Sequence, residues 1–412
     1  MNNKNIIRFL LALVLTAFNI SAASAQDSWS ELNPVNYAVT SLNIAPDARA
    51  AGLGDVGAAT DPDVNSQYWN PAKYPFCISR AGVSLNYTPW LRSLVEGIDL
   101  ANITGYYRLG NYDALSASLR YFSLGEVINT ADETTIRPYE MAVDVAYSRM
   151  LSETFSAAVA LRFIYSDLSA HDDDTRPGSA FAADIALYHN GYINLGKHES
   201  QLGWGVNFSN IGSKISYNQG ETSEFIPANL RIGGSLMIPL DDYNTLTIAA
   251  DANKLLVPTM PTYKQYINDV CTDLSAEEKE AAIRTGSYSS EYNSWLQGEG
   301  YYNVSSIAGI FKSFSDAPGG FKEEMQEITW SVGAEYSYNN KFFVRAGYHY
   351  EHPNKGNRSY FTVGAGFKMS VFSIDAGYVI STAQSNPLDQ TLRFSLAFDM
   401  DGIKDLIGKR RR

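Results

Sequence analysis

The sequence predicts an all-β fold, a transmembrane antiparallel β-barrel of about 14 strands with an amino-terminal hatch in its lumen, and three observations point to it. From about residue 80 onward, stretches of roughly ten residues alternate apolar and polar side chains and then turn, as strands do when one face meets lipid and the other a lumen. No window after the amino terminus offers ~18 consecutive uncharged apolar residues, so helices are excluded as the spanning elements. The connections are short and long by turns, the pattern of tight periplasmic turns and longer external loops.

Residues 1–25 read as a cleavable signal peptide. Lys4 and Arg8 precede an apolar run from Ile6 to Ile20, and Ala23-Ser24-Ala25 supplies the small-x-small pattern of a cleavage site. The mature chain is then expected to begin at Gln26, with 30 basic against 44 acidic side chains, a balance of −14. An acidic chain does not neutralise phosphates, which excludes nucleic acid as a partner.

Residues 26–79 lack clean alternation and are rich in small residues, with Gly52, Gly54 and Gly57 in one run and Asn70, Pro71 and Ala72 in the next. A barrel of this size is wider than its own wall side chains fill, so this segment reads as a hatch or plug; a periplasmic tail is the competing reading. Its glycines lack the flanking strand and helix of a nucleotide site and are taken as packing positions.

The barrel is expected over 80–400, with strands near 80–90, 97–109, 112–124, 138–151, 153–167, 178–190, 200–211, 228–240, 242–253, 324–338, 340–351, 357–369, 371–380 and 389–400. Segment 155–165 shows the alternation plainly: Phe155, Ala157, Val159, Leu161, Phe163 and Tyr165 share one face, and Arg162 falls on the other. The link 191–199 is longer than its class predicts. Inward charges of opposite sign fall on neighbouring strands: Asp144, Arg162 and Asp184; Arg231 and Asp251; Glu335 and Arg345; Asp375 and Arg393. Cross-strand ion pairs are expected from them, either lining a polar path or filling and rigidifying the lumen, the commoner use. Tyr87, Trp90, Tyr106, Tyr107, Tyr139, Tyr336, Tyr348, Tyr350 and Tyr360 lie near strand ends and suit interfacial girdles.

The connection 254–323 is far longer than a turn requires. Ser275-Ala276-Glu277-Glu278 is a capping-box start and Gly286 a stop, so it contains a helix. Tyr288, Tyr292, Trp295, Tyr301 and Tyr302 flank that helix and are candidates for contact with a protein partner; a lid over the barrel mouth is the alternative of equal weight. Residues 401–412, ending in Lys409 and three arginines, read as a basic periplasmic tail.

Five His residues and no zinc-type or Gly-x-Ser-x-Gly spacing give no catalytic constellation, so neither enzyme activity nor a cofactor is expected. His171-Asp172-Asp173-Asp174 is more in keeping with a solvated acidic loop than a hard-cation site. Cys77 and Cys271 either form one disulfide or remain two isolated thiols.

The run AGLGDVGAAT followed by NPA just before the first strand resembles the hatch of the long-chain fatty acid transporter (FadL-like) barrel superfamily. Within it, PDARAAGLGDVGAATDPDVNSQYWNPAKY is similar to the PorV (LptO) family of the type IX secretion system of Bacteroidetes. That resemblance implies a multi-pass outer-membrane protein, with both termini periplasmic and outer-membrane lipid around it. It implies a shuttle that binds the carboxy-terminal signal domain of secreted cargo. The partners implied are a SprA-like translocon and a surface attachment complex like PorU, PorQ and PorZ. The alternatives it leaves are a transporter of long-chain fatty acids or other hydrophobic molecules, and a factor in lipid A deacylation.

Overall fold

The computed structural model describes residues 33–91, 97–128, 135–168, 176–195, 198–218, 222–381 and 388–403. Fourteen antiparallel strands close into one barrel, each paired with its sequence neighbours and the last with the first. In chain order they are β1 (Ala81–Pro89), β2 (Ile98–Arg108), β3 (Asp113–Leu124), β4 (Tyr139–Met150), β5 (Phe155–Asp167), β6 (Gly178–Leu195) and β7 (His198–Gly212). They continue as β8 (Asn229–Pro239), β9 (Asn244–Leu255), β10 (Ile328–Tyr338), β11 (Phe342–Tyr350), β12 (Tyr360–Lys368), β13 (Phe372–Ser381) and β14 (Leu392–Asp399). A short hairpin, Val127–Ile128 with Thr135–Ile136, decorates the connection between β3 and β4.

Alternation fixes which face meets lipid. On β5, Val159 and Leu161 are exposed while Ala158, Ala160, Arg162 and Ile164 are buried. On β10, Trp330, Val332, Tyr336 and Tyr338 point out and Ser331, Glu335 and Ser337 point in. The register is strongly specified, because a slip of one residue would turn every charge toward lipid. There Arg or Lys costs ~2 to 4 kcal/mol at mid-membrane. No helix among the described residues is long and apolar enough to cross a membrane.

The link at 191–199 is tight after all, because β6 runs on to Leu195 and β7 starts at His198. The long connection occupies 256–327, since Phe321–Gln326 is helical before β10 begins. Of the expected girdle residues, Tyr87, Tyr107, Tyr336 and Tyr350 face outward. Tyr106 and Tyr360 instead point inward, where Tyr106 stacks on Tyr74 and Tyr360 donates to Asp55 at 2.6 Å. Cys77 and Cys271 are both free thiols, one buried beside Tyr106 and the other packed on Tyr266. Residues 1–25, expected to be a signal peptide, the His171 cluster and the tail from residue 404 lie outside the described residues.

Candidate functional site: the hatch-filled lumen and the covered mouth

Residues 38–77 lie inside the barrel and are bonded to its wall at successive points. The first anchor is Ser41, whose N–H donates to Glu140 of β4 at 3.0 Å, while Arg120 of β3 donates to the carbonyls of Ser41 and Ile44. Asp47 caps the short helix Ala48–Ala51 by accepting from the Ala50 N–H at 2.9 Å and also accepts from the Trp69 indole at 2.6 Å. Arg49 spans the gap from hatch to wall, pairing with Asp63 at 2.8 Å and with Glu335 of β10 at 3.2 Å.

The three hatch glycines sit where the hatch crowds the wall or itself. A Cβ on Gly52 would come within 2.9 Å of the Gly364 Cα. Gly54 has φ +75 and donates its N–H to Thr362 at 2.8 Å. Gly57 lies against the face of Trp69, leaving no room for a side chain, and its N–H donates to Asp251 at 2.8 Å. Asn70 closes the hatch from the other side, donating to the carbonyls of Ala58 at 3.1 Å and Leu187 at 2.9 Å and accepting from the Ala72 N–H. Pro71 starts the following 3₁₀ turn, and Ala72 is fully buried against β5 and β6.

Arg162 of β5 stands between Asp144 of β4 and Asp184 of β6, at 2.9 Å from each. Asp144 also accepts from Gln67 of the hatch at 2.9 Å. Glu335 and Arg345 are direct cross-strand partners and pair at 2.6 Å. Arg345 reaches over β12 to Asp375 of β13, also at 2.6 Å, through the space left by Gly366, where a Cβ would meet both side chains.

Two expected pairs are not made. Arg231 lies opposite Asn253, and Asp251 lies opposite Gly233, so the two charges are one step apart on the same face. Each turns to the hatch instead. Asp251 accepts from the Gly57 and Ala58 N–H groups, and Arg231 donates to Asn253 and to the Tyr68 carbonyl while its guanidinium lies 4.6 Å over the Trp69 ring. Likewise Arg393 faces Gly377 rather than Asp375 and pairs with Asp55 of the hatch at 2.6 Å. The expectation failed because it paired wall with wall, whereas the charges that face the hatch are satisfied by it.

A second track went unread in the sequence. Gly205, Gly233, Gly333, Gly347, Gly364 and Gly377 all face inward, and a Cβ on each would strike hatch atoms between Ala48 and Ala58. The signal was present as glycine recurring at inward positions of β7 to β13, which marks close approach of another backbone.

At the end carrying the long loops, 256–327 folds into helices over the mouth. Ala276–Thr285 begins with the Ser275–Glu278 capping box and ends at Gly286 with φ +69. Tyr301 is buried against Phe225 and donates to the Asn36 carbonyl at 3.1 Å. Tyr292 and Trp295 pack with tilted rings against Tyr266, Tyr288 joins the same cluster, and Tyr302 packs on Tyr301. These five aromatics hold the covering together, with their rings turned into it. A lysine–carboxylate latch ties it down: Lys254 bonds Glu324 at 3.0 Å and Glu327 at 2.6 Å, and Lys355 bonds Glu323 at 2.6 Å and Glu327 at 3.1 Å.

Between covering and hatch lies a cavity of about 260 Å³. Trp90, Tyr37 and Leu255 give it apolar wall, but Arg231, Arg358 and Arg393 and their partners interrupt that wall. It is not a continuous apolar pocket. His349, on its wall, is 2.9 Å from the Ser331 hydroxyl, but Ser331 is buried and does not line the cavity, so the pair has no access to a substrate there.

The family model for the type IX secretion system protein PorV matches residues 27–262, more than half of the chain, spanning the hatch and β1 to β9. The chain belongs to the PorV family. No curated protein sequence matches it. Among solved structures it is similar to a FadL homologue of Pseudomonas aeruginosa, at 12% identity over 86% of this chain and 98% of that one, with a TM-score of 0.41. It is also similar to the CymD monoaromatic hydrocarbon channel, at 12% identity over 88% and 97% with a TM-score of 0.45. The toluene transporter TodX of Pseudomonas putida follows at 11% identity over 85% and 95%, with a TM-score of 0.43. Likenesses this loose carry no functional weight. PorV-family membership and the closed barrel point to an outer-membrane barrel of type IX secretion.

Proposed function

We propose that this chain is a docking shuttle of type IX secretion, which takes cargo by its carboxy-terminal signal domain and passes it to the attachment complex at the cell surface. On this reading it accepts cargo at a SprA-like translocon and delivers it to a sortase-like PorU with PorQ and PorZ. The long loops then face outward and both termini the periplasm.

What supports a docking role rather than a conduit is the hatch, bonded to the wall through Glu140, Asp251, Glu335 and Arg393. A lumen filled in this way leaves the outer covering as the working surface. The helices Ala276–Thr285 and Ser289–Gly298 offer an exposed, polar face there, with Glu277, Arg284, Glu291 and Gln297. Polar rims of this kind set partner choice and association rate. A hydrophobic-molecule transporter would need an apolar pocket, which the arginine-lined cavity does not supply.

The test is affinity purification of the detergent-solubilised protein from its native outer membrane, followed by mass spectrometry. Secreted proteins sharing a carboxy-terminal domain, or a sortase-like protein, should co-purify. Recovery of fatty acids with no such protein would overturn the reading in favour of a transporter.

A further inference from the structure

The covering carries an apolar face that neither the hatch nor the mouth uses. Ile307, Phe311, Phe314, Phe321 and Met325 are all exposed, Phe311 at 73% and Phe321 at 80%. Single exposed apolar residues are ordinary, but five large ones within twenty residues of an external loop are not.

The geometry turns this face away from the barrel axis. Gly309 presses the helix Ser306–Lys312 against Phe225 and Pro258, where a Cβ would come within 2.6 Å of the Phe225 ring. Ile307 and Phe311 lie two residues to either side of Gly309, hence on the opposite face. The helix Phe321–Gln326 leads directly into β10, whose outward residues Trp330 and Val332 belong to the lipid-facing belt. Lys254 leaves β9 on that same outward phase, since its partner across the sheet is Ile328 and the next pair is Ala252 with Trp330. Its ammonium holds Glu324 of the helix and lies 6.0 Å from the Phe314 ring. The apolar face therefore continues the lipid-facing surface of the wall at its outer rim. Lys312 and Lys322 are exposed on these two helices, whereas Glu323, Glu324 and Glu327 are engaged by Lys254 and Lys355.

We propose that the segment 306–326 is an interfacial membrane anchor, which lays Ile307, Phe311, Phe314, Phe321 and Met325 into the outer leaflet and sets Lys312 and Lys322 against its anionic headgroups. Apolar residues on one side with lysines at the border are what an element lying in the headgroup–acyl boundary requires. Held in this way, the covering is fixed to bilayer as well as barrel, and its polar helices are kept at a set height above the surface.

The experiment places a nitroxide at Phe311→Cys and, separately, at Phe321→Cys in full-length protein carrying Cys77→Ser and Cys271→Ser. Each variant is reconstituted in vesicles containing lipid A and phosphatidylglycerol, with folding verified by heat-modifiable gel mobility. Ile307→Cys and Met325→Cys serve as second positions should either variant fail to fold, and Glu280→Cys on the polar helix is the solvent reference. At the apolar positions, collision with oxygen should exceed collision with a water-soluble nickel chelate several-fold, with the opposite ratio at position 280. Water-like ratios at 311 and 321 would overturn the proposal. So would shielding that appears only when a purified cargo carboxy-terminal domain is added, since the face would then be a protein-docking site.

Discussion

Arg162 shows how a single residue is committed in this lumen. Its guanidinium satisfies two buried carboxylates on two neighbouring strands, and Asp144 passes the connection on to Gln67 of the hatch. Removing the cation leaves Asp144 and Asp184 buried together with only neutral hydrogen-bond donors, Gln67 and Ser118 for one and the Asn210 N–H for the other, and breaking a buried ion pair costs about 3 to 5 kcal/mol. Arg162→Met should therefore lower the urea midpoint of the folded, heat-modifiable form by that equivalent. Arg162→Lys should recover only part, because one ammonium does not fork to two carboxylates as a guanidinium does. Full stability in Arg162→Met would mean that the triad is ornamental. The same logic separates what the sequence could and could not say at this scale. Adjacent opposite charges at directly facing positions, Glu335 and Arg345, are legible from alternation alone. Arg393 with Asp55 is not, because their contact depends on where an irregular segment comes to rest.

At the scale of elements, the strands were legible because lipid on one face and hatch on the other impose a strict period of two. The covering was not, apart from its capped helix, because its packing depends on long-range contacts such as Tyr301 with Phe225. In sequence its five aromatics leave partner contact and a lid equally open; in the fold Tyr301 is buried and the other four are half-buried in the covering, whose most exposed large apolar residues are Phe311 and Phe321. The latch beside them gives the covering a pH response. Burial, followed by the neighbouring Glu324 and Glu327 carboxylates, raises Asp316 to about 6, and its buried Oδ1 has no hydrogen-bond partner among the described residues while the other oxygen accepts from the Thr259 N–H. A carboxyl whose folded-state pKa is raised favours the folded state while it is protonated. That contribution is fully present below the ordinary Asp value of 3.8 and is lost as pH rises through about 6. Amide exchange across 256–327 should therefore be slower, after correction for the intrinsic rate, at pH 5 than at pH 7. Asp316→Asn should remove much of that difference, and an unchanged pH dependence in the variant would assign it to other groups.

At the scale of the whole molecule, hatch and barrel form one cooperative unit rather than a tube with a removable stopper. Wall residues Glu140, Asp251, Glu335 and Arg393 complete their bonding with hatch atoms, and hatch residues Arg49, Asp55 and Asn70 complete theirs with the wall. The inward glycines of β7 to β13 add a steric argument, since they exist as a smooth track only if a backbone lies against them. Withdrawing the hatch would expose a lumen of half-paired charges, each costly to leave without its partner. The barrel should therefore keep its hatch until it unfolds. In planar bilayers the protein should be silent under urea until the concentration at which the heat-modifiable form is lost. Gly347→Ala, which drives a Cβ into the Leu53–Gly54 backbone, should destabilise hatch and barrel together, lowering the urea concentration at which the heat-modifiable form is lost and giving no conducting state before that point. A current in the unaltered protein well below its unfolding midpoint would instead show a hatch that leaves independently, and would return a conduit to consideration for this lumen.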